Sequence, residues 1–175
     1  QIVSRQSFSA TLDPVTSVMT GISLIGAPTS PLVNEAGWKD TAQINFYSRE
    51  ARNYLTSVLI ELADLCDGVR CDMAMLPLNN IFYNTWIGVL KKYGFEKPEK
   101  EFWEEAIAQV KIIRDDFIFI AETYWDLEWQ LQNLGFDFTY DKRLTDRLVG
   151  GNIRSIKDHL CAEKTYQDKS VRFLE

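Results

Sequence analysis

Hydrophobic positions along the chain follow two spacings, one helical and one made of short runs. In "SREARNYLTSVLIELADL", Ala51, Tyr54, Leu55, Val58, Leu59, Leu62 and Leu65 recur at helical intervals, so this segment is expected to be a helix with one face on a core. Ser48 is a good N-cap, and Glu50 puts a negative charge in the first turn. Residues 100–115 repeat the pattern, offering Phe102, Trp103, Ala106, Ile107, Val110 and Ile113 for burial. Between and after these helices stand runs too short for a helix: "GVRCDMAM", "DFIFIAETYW" (116–125), "GFDFTYD" (135–141) and the terminal "VRFLE". A short helix is expected at about 126–133 and further helical segments between 142 and 165. The stretch "LPLNNIFYNTWIGVLKKYGFEKPEK" reads as a long connection. Residues 1–37, rich in Ser, Thr, Pro and Gly, read as loop or poorly ordered, with one short strand at "GISLIG" (21–26).

The order is helix and strand alternating four times. Apolar runs alternating with amphipathic helices imply βαβ units and a parallel sheet in an α/β protein. An open doubly wound sheet and part of a TIM (β/α)8 barrel both satisfy that order. No Gly-rich phosphate loop follows any strand, which removes the usual argument for a nucleotide-binding sheet. A partial barrel is the expected fold.

Strand periodicity then sorts the charged residues. Gly68, Arg70, Asp72 and Ala74 are expected on one face of the first strand, and Val69, Cys71 and Met73 on the other. The apolar set suits packing under helices, and the charged set suits a barrel interior near its mouth. Arg70 and Asp72, two residues apart on that face, are close enough to interact, and a neighbouring cation favours the ionised carboxylate. In the later run, Ile118, Ile120 and Glu122 share a face, which leaves Glu122 a lone carboxylate above an apolar column. Desolvation there favours the protonated form. One carboxylate kept charged and one kept protonated on nearby strands is the arrangement of a retaining glycosidase, whose two carboxyl groups lie about 5 Å apart. Plainer readings exist for each residue. Arg-x-Asp on a strand is also a common buried ion pair, Glu122 can cap the next helix, and Tyr124 and Trp125 can be core.

Composition narrows the partners. The chain has 175 residues, 46% of them hydrophobic and 13% aromatic, enough for one ordinary domain with a sizeable core. A net charge of −6 argues against nucleic acid or an anionic membrane surface. No 18-residue apolar run exists, so no transmembrane helix is expected. Cys66 and Cys71 have opposite strand parity and form neither a metal clip nor a ready disulfide. Reduced, buried thiols are the reading for these two and for Cys161, which favours a cytoplasmic location. His159, the only histidine, reads as a surface residue. The start at Gln1 and a strand that has just begun at the end lead us to expect part of a longer protein.

At the charged strands the sequence resembles the α-amylase family of glycoside hydrolases. "DGVRCDMA" is similar to that family's fourth-strand motif, and "FIAETYW" to its fifth-strand motif. "DTAQINFYSREAR" resembles the stretch that leads into its third barrel helix. The resemblance runs from about Trp38 to Glu175, leaving 1–37 as a segment without a counterpart. It implies a catalytic barrel spanning roughly the third helix to the start of the seventh strand. It further implies Asp72 as nucleophile, Glu122 as general acid/base, and Arg70 as the group orienting Asp72, with Tyr124, Trp125 and Met75 at substrate-contact positions. The implied activity is retaining hydrolysis of α-glucosidic bonds in oligo- or polysaccharides, with no cofactor. A transglycosidase of the same family is the nearest alternative, and a non-catalytic carbohydrate-binding fragment the alternative of another class. Oligomeric state is left open.

The sequence also departs from the family pattern. Nothing in 1–37 matches the family's Asp and His motif after the third strand. Its Asn-His-Asp motif would fall beyond Glu175. Met75 and Leu76 stand where many members have Lys-His. Ala42, Gln43, Ile44 and Asn45 stand where many have Pro-Asp-Leu-Asn, so no metal is expected.

Overall fold

The computed structural model describes residues 43–172. The expected strand at 21–26, the segment 1–37, Ala42 and the residues after Arg172 lie outside that range. The element order is α1 (Arg49–Leu65), β1 (Gly68–Cys71), α2 (Asn79–Tyr93), α3 (Phe102–Ile113), β2 (Ile118–Ala121), α4 (Glu128–Asn133), β3 (Phe138–Tyr140), α5 (Lys142–Gly150), α6 (Ile153–Leu160), α7 (Lys164–Asp168) and β4 (Ser170–Val171). The four strands form one sheet in the order β1-β2-β3-β4, every pair parallel. Neighbours in sequence are neighbours in space, with helices on every crossover, as in one arc of a (β/α)8 barrel.

Local chemistry explains most element limits. The Ser48 side chain accepts from the Ala51 N–H and opens α1 as expected. Tyr54 and Leu65, expected on the buried stripe of α1, are exposed, and Ala51, Arg52, Thr56 and Ala63 are buried. Leu55, Leu59 and Leu62 of the expected stripe pack partly buried against the main core. The stretch read as a long connection contains α2. Phe82, Trp86 and Leu90 are buried at every fourth position, and Gly94, in the left-handed conformation at φ 69°, ends the helix. Tyr47 and Phe46 pack against this stripe as a second, smaller core.

The main core lies between the sheet's back face and the helices. Phe117, just before β2, and Phe119 and Ala121 on it are fully buried there, with Cys71, Val110, Ile107 and Leu131. The opposite parity of β2 emerges on the front face, where Ile118 is exposed. Gly68 sits on that front face, where a Cβ would stand 2.5 Å from the Ile118 carbonyl oxygen. The parallel neighbour's backbone thus leaves room only for hydrogen at this position.

Strand parity fails past Cys71. The strand ends there, and Met73 takes a left-handed conformation at φ 46°. Ala74, expected on the charged front face, is therefore turned into the core, and Met75 and Leu78 go with it. Two further expectations are corrected. Cys66 is half-buried and Cys71 buried, but Cys161 is exposed. His159 is buried, not on the surface. Its Nε2 pairs with Asp141 at 2.8 Å, its Nδ1 meets Arg147, and Arg172 reaches the same Asp141 at 3.1 Å. Asp141 also caps α5 through the Leu144 N–H. One buried carboxylate thereby ties β3, α5, α6 and the end of β4 together. No helix among the described residues is long and apolar enough to cross a membrane.

Two stability measurements test this packing. Gly68→Ala is expected to lower the unfolding free energy by about 1–3 kcal/mol, the usual cost of overpacking against immobile atoms. Chemical denaturation reads this as a lower midpoint, and an unchanged midpoint would contradict the close approach of β1 and β2. Burial pushes the Cys71 thiol up to about 12, with a small opposing pull from Arg70. The unfolded thiol ionises near pH 9, so the folded state loses stability as pH rises from there towards 12. The slope is roughly 1 kcal/mol per pH unit. Denaturation across this pH range should show that slope, and Cys71→Ala should flatten it, leaving the part from Tyr47 and Tyr166, whose phenols burial also pushes up.

Candidate active site

The C-terminal ends of β1, β2 and β3 bring together the residues singled out in the sequence. The parallel register pairs Arg70 with Ile120 and Ile120 with Phe138. Two residues further along each strand stand Asp72, Glu122 and Tyr140, so one layer across three strands supplies the polar groups. Arg70 is the hub. Its Nη2 lies 2.9 Å from Glu122 Oε1, its Nη1 bonds Asp72 Oδ1, and its Nε–H donates to the Tyr140 hydroxyl at 3.1 Å. The guanidinium carbon also lies 5.6 Å from the centre of the Tyr140 ring, within cation–π range. Burial alone would pull the Arg70 cation down. The hydrogen bonds to Tyr140 and Asp72 and the charge of Glu122 outweigh it and hold the group above its ordinary value.

Glu122 is not the lone carboxylate expected from the apolar column beneath it. Its side chain is 12% exposed and carries three donors. Besides Arg70, the Met73 N–H donates to Oε2 at 2.7 Å, and the Tyr124 hydroxyl donates to Oε1 at 3.0 Å. Its backbone extends the sheet, donating to the Cys71 carbonyl and accepting from the Ala74 N–H. The left-handed Met73 thus has a local purpose, since it aims a main-chain N–H at the Glu122 carboxylate. Asp72 differs sharply, with its side chain 77% exposed. One acid is held on every side, and the other is open to solvent and steered by one guanidinium.

The remaining candidates separate. Tyr124 is half-buried against the core with its hydroxyl on Glu122. Trp125 is exposed. Met75 is fully buried in the main core. It presents no surface to a ligand, which corrects its expected substrate contact. Tyr140 was missed in the sequence. The signal for it was parity, since it shares the Phe138 face at the end of β3, but a tyrosine there reads equally well as packing.

The loop after β2 is strained. Trp125 and Asp126 both take φ 62°, a conformation that costs a non-glycine residue about 1–2 kcal/mol. Asp126 is held by Arg143 of α5 at 2.5 Å. The same arginine faces Glu128, whose carboxyl is pushed up chiefly by burial, against the pull of its backbone hydrogen bond and of Arg143. Among the described residues no group of three or more His, Cys, Asp or Glu is arranged to hold a metal ion.

Comparison with known proteins gives fold likeness only. No protein-family model matches the chain, and no curated protein matches it. Among solved structures it is similar to an alpha-amylase from Lactobacillus plantarum, at 20% identity and a TM-score of 0.52, over 83% of this chain and 34% of that one. It is also similar to the cyclic alpha-maltosyl-(1→6)-maltose hydrolase from Arthrobacter globiformis. The ligand-free form of that hydrolase gives 19% identity, a TM-score of 0.58, and coverage of 89% of this chain and 34% of that one. Its complex with maltose gives 17% identity at the same TM-score, over 92% and 35%. The chain thus spans about a third of the length of these structures. The fold is α/β, a parallel sheet alternating with helices as in part of the barrels of these glycoside hydrolases.

Proposed function

We propose that residues 38–175 form part of the catalytic barrel of a retaining glycoside hydrolase acting on α-glucosidic bonds of oligo- or polysaccharides. The observation that carries this reading is the single Arg70 guanidinium bonded to both Asp72 and Glu122 at the ends of adjacent parallel strands. That contact gathers the two acids at one end of the sheet, as two-carboxylate glycoside chemistry requires, and the resemblance to the α-amylase family favours retention over inversion. The fold likeness and the sequence motifs support the same reading.

In this mechanism Asp72 attacks the anomeric carbon while the bond from that carbon to the leaving oxygen breaks. Glu122 gives its proton to that oxygen. Water then attacks the glycosyl-aspartate, Glu122 takes the water's proton, and the Asp72 carboxylate leaves. The exposure of Asp72 suits the attacking group, which must reach a sugar entering from solvent. The enclosure of Glu122 suits the group that must hold its place through both steps. Arg70 keeps Asp72 aimed in the absence of sugar. A sugar hydroxyl in place of water would give transfer instead of hydrolysis by the same intermediate.

The reading is tested on the full-length protein with a mechanism-based 2-deoxy-2-fluoro α-glycosyl reagent. Peptide mapping is expected to find the sugar on Asp72, with no label in Asp72→Asn. Label on another residue, or full turnover by Asp72→Asn, would sink the assignment. Glu122→Gln is expected to lose about 10²–10⁴-fold in kcat on poor leaving groups and to keep substrates with very good leaving groups. Its pH–rate profile should lose the basic limb.

A further inference from the structure

The strained loop after β2 has a partner that explains why the strain persists. Two consecutive non-glycine residues in the left-handed region revert to ordinary backbone unless something outside the turn fixes them. Here the outside group is Arg143, whose Nε lies 2.5 Å from Asp126 Oδ1, the two side chains being 41% and 65% exposed. Arg143 is the second residue of α5, and the start of α5 is among the best-fastened points in the fold. Its N-cap, Asp141, accepts from the Leu144 N–H and is tied to His159 and Arg172, with its side chain fully buried. A firm line therefore runs from the end of β3, through the first turn of α5, to Asp126. On the N-terminal side, Tyr124 anchors the loop by its hydroxyl bond to Glu122. Between these anchors the indole of Trp125 is 61% exposed, three residues after Glu122. An exposed aromatic on a braced, left-handed turn is a presented surface, since a free loop would fold a side chain this apolar against the core.

We propose that Arg143 is a positioning residue: its ion pair with Asp126 fixes the left-handed turn and so presents the Trp125 indole as a platform for a glucosyl ring of the bound α-glucan. This rests on the glucan reading of the Asp72–Glu122 site. Arg143 touches neither substrate nor acid and acts only through Asp126. Trp125 supplies a flat apolar face, against which the C–H face of a pyranose ring packs while its hydroxyls stay in water.

The test uses the full-length protein and two readouts. The difference in acrylamide-quenchable tryptophan emission between the protein and its Trp125→Phe variant isolates Trp125 without any sugar. The kcat and KM for maltoheptaose give the second. In Arg143→Met the Trp125 emission difference is expected to change, and KM to rise about two- to fivefold, the range an exposed ion pair supplies, with kcat little moved. Arg143→Lys should restore part of both. In the Asp126→Gly background Arg143 has lost its partner in the turn, so Arg143→Met should add no further rise. Wild-type emission and KM in Arg143→Met, or an equal rise in both backgrounds, would overturn the proposal. If emission responds to Arg143→Met but maltoheptaose is neither bound nor turned over, the positioning stands and the glucan reading fails.

Discussion

The candidate site depends on one cation placed where a barrel strand would otherwise be apolar. Arg70 stands on the front face of β1, half-withdrawn from water, and that withdrawal costs stability unless the charge is matched. Three strands match it: Asp72 beyond β1, Glu122 beyond β2 and Tyr140 at the end of β3. The geometry is reciprocal. The same fork that is satisfied by the two carboxylates also keeps them together against their own repulsion. At the other end of the same strand pair, Gly68 lets β1 lie against the Ile118 backbone of β2.

A second buried charge organises the scaffold. Asp141 holds His159, Arg172 and the first turn of α5, so the end of β3 is fastened to two later helices and to the end of β4. Tyr140, the last residue of β3, bonds Arg70, and Asp141 follows it directly, so consecutive residues join the candidate site to the frame that supports it.

The parallel sheet and the pairing of Arg70 with Asp72 were legible because they depend on periodicity over several residues. What periodicity could not reach was anything set by a single backbone turn. Parity assigned Ala74 to the front and the family resemblance gave Met75 a substrate contact, and both are buried because the strand ends at Cys71 and Met73 turns left-handed. Helix α2 was hidden for a different reason. Its N-cap is Leu78 without a capping side chain, and Gly88 interrupts its middle. His159 reads as solvent-facing in sequence because its partners are 18 and 12 residues earlier, at Asp141 and Arg147. Glu122 looked isolated for the same reason, since Arg70 comes from another strand and Met73 from the turn after that strand.

One guanidinium contacts both acids, and the proposed reading makes them the nucleophile and the acid/base of a retaining mechanism. The anomeric form of the first product tests it most directly. Proton NMR of full-length protein acting on a short α-glucan, read before mutarotation, should show the α-anomer forming first. The β-anomer forming first would require a water between the two carboxylates and would contradict the account.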